Sequence, residues 1–385
     1  MPTLFFRLSQ LADNALTGLV PSSLADLTQL QMIWLDDNDL SGDVSTTFNN
    51  MPNLRTVYIE DNSLQGTIDD NFMASNRNLI QMDLSNNNFV GSIPDHFFDP
   101  EKVPLLEMLD VGHNRLSGLL PANVPPNSEM NFLALQGNSF QGPIPDSWAN
   151  FEGLFHLDLS SNDLTGPMPE HLANLTRLSY LFLANNTFTA GPIPDFSALT
   201  RMEEISLKRT SRMGELPEWI SEWGNLKLLD LDNNNLMGQI PESYGNLTNL
   251  QFLLLNRNNL GGEVPTTFAS LTNLRAVFLD KNSMTGRLDV LCSLPSFAGS
   301  SPESGNVIAA DCIGGESATI VCGCCSICCS SSFSSAGQDE GAYDEETCHD
   351  ATAIASLEPI WENIYARSEY NFGNETRFFE QENVN

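Results

Sequence analysis

The strongest constraint on this chain is a period. Asparagine recurs at Asn14, Asn38, Asn62, Asn87, Asn114, Asn138, Asn162, Asn186, Asn234, Asn258 and Asn282, each within a close copy of LxLxxNxLxGxIPxxxxxLxxL. Thr210 fills the one slot where Asn is missing. Successive spacings are 24, 24, 25 and 27 residues, then 24 seven times over. Chance does not hold a register through twelve units, so the chain reads as a solenoid, in which a unit buries its apolar face only against its neighbours. A length of 385 residues alone suggests two or three globular domains, and the repeat overrides that expectation.

Each consensus position has a physical reason. The xLxLx segments, such as those around Leu157 and Leu159 or Leu253 and Leu255, read as short strands whose alternation sends Leu into the core and the intervening residues outward. The Asn amide is expected to meet backbone groups that the following bend leaves open. Gly42, Gly66, Gly118, Gly166 and Gly262 let the chain turn closely, and Ile144-Pro145 or Val264-Pro265 suit a short extended piece. The remainder of each unit, for example ESYGNLTNL, predicts a helical or 3₁₀ turn on the convex side. Twelve stacked strands at about 4.8 Å make a concave sheet of roughly 55 Å.

Two units are irregular. The 27-residue unit before Asn114 contains FFDPEKVPLL and predicts a longer convex loop. The Thr210 unit, KRTSRMGELP, has Thr for Asn and Arg212 where Leu is expected. It reads as a degenerate unit and the weakest joint of the array; a specialised joint is the alternative.

At this level of detail the repeat resembles a known family. NLTNLQFLLLNRNNLGGEVPTTFASLTNL is similar to the plant-type leucine-rich repeat, LxxLxxLxLxxNxLxGxIPxxL, found in receptor-like kinases, receptor-like proteins and cell-wall-enzyme inhibitors. The likeness covers about residues 6–290. It implies an α/β solenoid, a right-handed leucine-rich-repeat superhelix of horseshoe shape with a parallel concave sheet and about twelve repeats. It says little of function, because the motif residues are structural.

Beyond the repeats the character changes. Cys292 and Cys312 bracket SLPSFAGSSPESGNVIAAD, which reads as a closing half-repeat with Ile308 and Ala310 pointing inward and a Cys292–Cys312 disulfide fixing it. All eight cysteines fall from Cys292 onward. The run Cys322-Gly323-Cys324-Cys325-Ser326-Ile327-Cys328-Cys329, with Cys348, has three readings: a disulfide knot outside the cell, or a thiophilic metal site or a palmitate acceptor inside it. The knot leads. The spacing does not match a zinc finger, which needs two separated pairs. Residues 330–385 are acidic, with Arg367 and Arg377 as their strong bases, and read as mostly disordered apart from a short helix over Ile354–Tyr370. The organisation is thus 1–290 array, 291–313 cap, 314–348 cysteine-rich segment and 349–385 acidic tail. Plant-type repeats with an ADC cap and a CxCCxxCC tail also resemble leucine-rich-repeat proteins of diatoms and related algae, some of which carry a membrane segment ahead of the repeats.

Charge excludes a class of partners. Lys and Arg total 17 against 49 Asp and Glu, a formal charge of −32 that repels nucleic acid and anionic lipid and favours a monomer. No run approaches the roughly 18 apolar residues of a membrane span, so a membrane is reached only through a missing or lipid anchor. The start, MPTLFFRLSQL, is no signal peptide and runs straight into repeat, which predicts that the chain begins inside a longer product. Sequons stand at Asn174, Asn185, Asn246 and Asn374, although NLT also arises from the consensus itself.

The register alone nominates a ligand-binding face: Trp34, Asp36, Tyr58, Glu60, Asp83, Phe132, His156, Asp158, Tyr180, Phe182, Lys208, Phe252, Arg257 and Phe278 all point outward from the concave strands. Exposed aromatics in a row mark an interface, and the alternative is cross-strand pairing that merely stabilises the sheet. A carboxylate–histidine cluster of Asp110, His113, His156 and Asp158 is conceivable, and solvated polar residues are the plainer reading. No Ser-His-Asp set, GxSxG, HExxH or phosphate loop appears, so neither catalysis nor a cofactor is expected. The reading is a non-enzymatic module binding a protein or peptide, extracellular or at the cell surface. The alternative is a cytoplasmic scaffold with a metal-binding or lipidated cysteine tail.

Overall fold

Each unit spends three residues on a strand, and the strands stack in parallel with a fixed register. The computed structural model describes residues 11–126, 128–297, 306–312 and 320–329. The expectations for Cys348, Asn374 and the helix over Ile354–Tyr370 lie outside those residues. Among them the concave sheet has thirteen strands, from Met32–Trp34 to Ile327–Cys328, eleven of them contributed by repeats. Neighbours align residue for residue: Phe132 pairs with His156, His156 with Tyr180, and Tyr180 with Glu204. The inward Leu positions, such as Leu157, Leu181 and Leu253, are fully buried in one continuous core.

The Asn ladder accounts for the bends. Asn258 donates through Nδ2 to the carbonyls of Leu231 (2.9 Å), Leu255 (3.1 Å) and Asn256 (3.2 Å), while its Oδ1 accepts from Leu236 N–H (3.0 Å). One side chain therefore satisfies groups in its own unit and in the preceding one. Left unmet, each such buried group costs about 1–3 kcal/mol. The residue just before each Asn is left-handed, for example Asp37 (φ 52°), Asn233 (φ 53°) and Arg257 (φ 55°). Asp, Asn and Gly tolerate that conformation best, which explains their frequency there. At Gly137 (φ 64°) a Cβ would also lie 2.6 Å from the His113 ring.

A second, flanking sheet follows the Asn turn, and then a Pro in extended conformation leads into a 3₁₀ turn. Pro145 and Pro241 lead into Asp146–Asn150 and Glu242–Asn246 in this way. These turns carry the large convex-side anchors. The 27-residue unit keeps its turn, Asp95–Phe98, and its extra residues form a loop after it, as expected. Phe98 reaches past the next, proline-rich unit to meet Phe151 and Trp148 edge-on at 5.3 and 6.0 Å.

The Thr210 joint corrects the reading of degeneration. The flanking sheet does break here, into seven strands ending at Asp163–Leu164 and four beginning at Met213–Glu215, with a lone bridge between Gly191 and Arg212. The concave sheet runs through without interruption. Arg212 is buried at 1% exposure, and its guanidinium donates to Thr210 O through Nε (2.9 Å), to Pro192 O through Nη1 (3.0 Å) and to Thr189 O through Nη2. Thr210 Oγ1 donates to Leu207 O at 2.6 Å. The stretch from Asn186 to Pro194 is one residue longer than that from Asn162 to Pro169, a lengthening taken back on the convex side so that the period is kept. The fork of Arg212 meets the carbonyls on the lengthened flank. The joint is specialised.

The cap also differs from expectation. Val307–Ala310 adds to the concave sheet, with Ile308 and Ala310 in the core as expected. The chain then continues through Ile320–Val321, paired with Gly286–Arg287, to the last concave strand, Ile327–Cys328. The Cys292–Cys312 bridge is not made. Cys292 ends the helix Asp289–Cys292 and joins Cys324, whereas Cys312 leaves the concave edge and joins Cys328. Cys322 joins Cys325, and Cys329 is disulfide-bonded as well. The half-repeat is a shortened extra coil, so each cysteine meets the returning strand instead of the other end of the same bracket. Asp311 closes the final turn by accepting from the N–H groups of Lys281 (2.9 Å) and Asn282 (3.0 Å), standing in for the carbonyls of a following unit.

Candidate functional site on the concave sheet

The register arranges the outward side chains in rows across the strands. One row carries Phe132, His156, Tyr180, Glu204, Leu228 and Phe252; the next carries Trp34, Tyr58, Asp83, Asp110, Ala134, Asp158, Phe182, Ser206 and Asp230, with Phe278 further on. All fourteen nominated residues belong to this surface, with Asp36, Glu60, Lys208 and Arg257 on the turn that follows the strands.

The aromatics are not an exposed row. Tyr58, Phe132, His156, Phe252 and Phe278 are buried, and Trp34, Tyr180 and Phe182 are half-buried. The cause is ring packing between registered neighbours. His156 lies flat on Phe132 with centroids 4.2 Å apart, and Tyr180 and Phe182 each stand 5.8 Å from His156. Trp34 stacks on Tyr58 at 6.1 Å, and the Tyr58 hydroxyl donates to Gln81 Oε1 at 2.7 Å. Cross-strand pairing therefore accounts for much of the aromatic content. A second apolar cluster, with Leu228, Phe252, Ala276 and Phe278, runs on to Val307, Ala309 and Ile327 of the cap.

The acids divide into two settings. Toward the N-terminal end Asp83 and Asp110 are direct cross-strand partners, with Glu60 and Asp36 beside them. Burial first, then the neighbouring Asp83 and Asp36, hold the Glu60 carboxyl well above its usual range. Burial raises Asp83 to about 6 against the lowering bonds from Ser85. Burial and then Asp83 raise Asp110 well above the ordinary carboxylate range. Asp158 is pushed up to about 6 by burial. Like charges opposite one another disfavour ionisation, so this end holds protons readily.

The C-terminal end is organised by cations. Arg257 forks onto Asp232, with Nε–Oδ1 at 2.7 Å, and Lys208 Nζ stands 3.7 Å from the same carboxylate. Asp230 Oδ2 accepts from Ser206 Oγ at 2.7 Å. Asp280 is fully buried next to Arg257, and its burial carries it to about 7. Glu204 and Asp280 were not singled out from the sequence, whereas Asp232 was read there as one of the variable positions that set this chain apart. Their signal was the outward register itself, which nominated aromatics first.

The two histidines and the neighbouring acids are not brought together in one cluster. Burial pushes His156 down to about 3, so its ring is neutral and pinned between aromatics. His113 sits exposed on the left-handed turn position instead of beside Asp158. Among the described residues, the group of three or more potential metal-ligating atoms that converges is Cys292, Cys322 and Cys324, whose sulfurs are engaged in disulfides. Among the sequons, Asn174 and Asn246 are exposed at the ends of convex 3₁₀ turns, while Asn185 is half-buried and donates to Ser161 Oγ at 3.3 Å.

The parallel concave sheet, the Asn ladder and the Pro-led turns together define a plant-type leucine-rich-repeat solenoid. Family models described as leucine rich repeat match residues 52–116, 153–175, 225–247 and 249–271. Receptor-like protein 7 of Arabidopsis thaliana is 36% identical over 74 residues, 19% of this chain and 7% of its own length. The solved structure of a TDR receptor matches with a TM-score of 0.67 and 29% identity, covering 72% of this chain and 48% of the receptor chain. The Arabidopsis receptor kinase HAESA, solved with the peptide hormone IDA and the co-receptor SERK1, matches with a TM-score of 0.64 and 30% identity over 73% of this chain and 46% of HAESA. The chain thus resembles the ectodomains of plant receptor-like proteins, and it spans less than half the length of these solved ectodomains and a small fraction of the curated relative.

Proposed function

We propose that this chain is a recognition module that captures an extended peptide or protein segment along its concave sheet, outside the cell or at its surface. The observation that carries the reading is the half-buried trio Trp34, Tyr180 and Phe182 standing in registered rows, with the carboxylates of Glu60, Asp83 and Asp110 between Trp34 and the other two. Rings that are already immobilised by stacking lose little freedom on binding, which makes them good anchors. Raised carboxylates next to them favour a basic ligand group, since its approach restores their ionised form. The preferred ligand is therefore apolar or aromatic in the middle and basic toward the end that meets Asp83 and Asp110.

Several features support this setting. HAESA, of similar fold, is solved with a peptide hormone. The disulfides of the cap suit an oxidising compartment. The acid excess argues against nucleic acid as the partner. The test is affinity selection of a displayed random-peptide library on the full chain, repeated on Tyr180→Ala/Phe182→Ala. Enrichment that disappears in the double variant supports the proposal; equal enrichment on both proteins refutes it.

A further inference from the structure

The cap holds a sulfur cluster that does more than staple. Cys322 and Cys325, three residues apart, form one disulfide, and Cys292 and Cys324, 32 residues apart, form another. Because the two bonds interleave within Cys322-Gly323-Cys324-Cys325, the Sγ atoms of Cys292, Cys322 and Cys324 all lie within 4.8 Å of one another. Cys325 stands outside that group. Cys322, Cys324 and Cys325 are only partly buried, so small reagents reach them. A disulfide constrains the unfolded chain less as its loop shortens, which makes Cys322–Cys325 the least reinforced of the three bridges whose partners are both among the described residues.

We propose that Cys322–Cys325 is a thiol-exchange site that passes the redox state of external thiols to the Cys292–Cys324 staple. The co-reactant is a small monothiol of the glutathione class. Its thiolate attacks Cys325 Sγ, the Cys322–Cys325 bond breaks, a mixed disulfide forms on Cys325, and Cys322 leaves as the thiolate. Cys322 Sγ then attacks Cys324 or Cys292. The Cys292–Cys324 bond breaks, a Cys322–Cys324 or Cys292–Cys322 bond forms, and the displaced sulfur leaves as a thiolate that takes a proton from water. The number of disulfides is unchanged, and one external thiol has been taken up. Attack in the opposite sense, on Cys322, would release Cys325, which is not within the cluster and transmits nothing. The Cys322–Cys324 product frees the helix Asp289–Cys292 from the returning strand, while Cys312–Cys328 still holds the last two concave strands together. Of the two bridges that tie the array end to the returning strand among the described residues, one then remains.

The experiment treats the native full chain with limiting reduced glutathione, quenches with N-ethylmaleimide at intervals and maps the cysteines by peptide mass spectrometry. The expected order is glutathione on Cys325 with alkylation at Cys322, then alkylation at Cys292 or Cys324, with Cys312–Cys328 intact throughout. In Cys322→Ser/Cys325→Ser the opening of Cys292–Cys324 slows by about tenfold or more, because the internal attacking thiolate is gone. Opening at an unchanged rate in that variant overturns the proposal. Should the variant fail to fold, the parent time course decides alone: free Cys292 or Cys324 appearing before free Cys322, or a first adduct on Cys312 or Cys328, overturns it equally.

Discussion

The two ends of the concave sheet use one backbone grid for opposite electrostatic ends. Around Asp83 and Asp110 carboxylate faces carboxylate, and the face stores protons. Around Asp232 the same outward positions place Lys208 and Arg257 on a central acid, and the charges are satisfied in place. The frame does not distinguish them. Leu157 and Leu253, or Asn87 and Asn258, make the same contacts at both ends. What differs is the choice of residues at the outward and turn positions, so recognition is written on the grid without disturbing it.

The largest effect should come from breaking the paired end. Arg257→Ala removes the forked cation from buried Asp232, leaving it only the more distant Lys208, and takes a cation from beside buried Asp280. It should cost about 3–5 kcal/mol, read from the urea midpoint. A loss under about 1 kcal/mol would mean that the fork adds nothing to the fold. Next is the joint between the two ends. Arg212→Leu strips donors from Thr189, Pro192 and Thr210 carbonyls and should cost about 2–4 kcal/mol. Adding Thr210→Asn to that variant, which restores the consensus, should recover part of the loss; no recovery would show that the inserted residue, and not the missing Asn, dictates the joint.

The pH dependence sharpens the contrast. Asp83, Asp158 and Asp230 titrate near 6 and Asp280 near 7 in the folded chain, against an ordinary carboxylate value near 4 when unfolded. Folded-state values above unfolded ones mean that the native state binds protons more tightly, so stability rises as pH falls from 8 toward 6. Below 6.5 the lowered histidines, His156 above all, oppose the trend, because protonating them favours the unfolded chain. A thermal midpoint that climbs between pH 8 and 6 and then levels off is expected; a steady fall over that interval contradicts the raised values. The smallest effect is at the crowded end. Asp83→Asn keeps the oxygen that accepts from Ser85 N–H (2.9 Å) but removes a like charge, and should stabilise by about 0.5–1 kcal/mol at pH 7.5 and less at pH 5.

Much of this was legible in the sequence, for reasons tied to particular positions. The Leu, Asn, Gly and Pro slots make contacts one period away, so a repeated string specifies them. Arg212 was misread because its partners, Thr189 and Pro192, belong to a unit whose insertion shifts them off the period. The cysteine pairing was misread because several bridges fit one spacing, and only the extra coil through Ile320–Val321 selects among them. The aromatics were read first as an exposed row, with cross-strand pairing as the alternative, and the pairing accounts for much of their burial. His156 is covered by Phe132, Tyr180 and Phe182 of adjacent units, and that packing exists only once the strands are in register.

The central claim is that a ligand lies along the concave sheet with its basic end over Asp83 and Asp110. The direct measurement is photo-cross-linking with a selected peptide carrying a benzophenone at its basic end, followed by mass-spectrometric mapping. Adducts within residues 56–113 are predicted. Adducts on the convex turns Glu170–Asn174 or Glu242–Asn246 would contradict it.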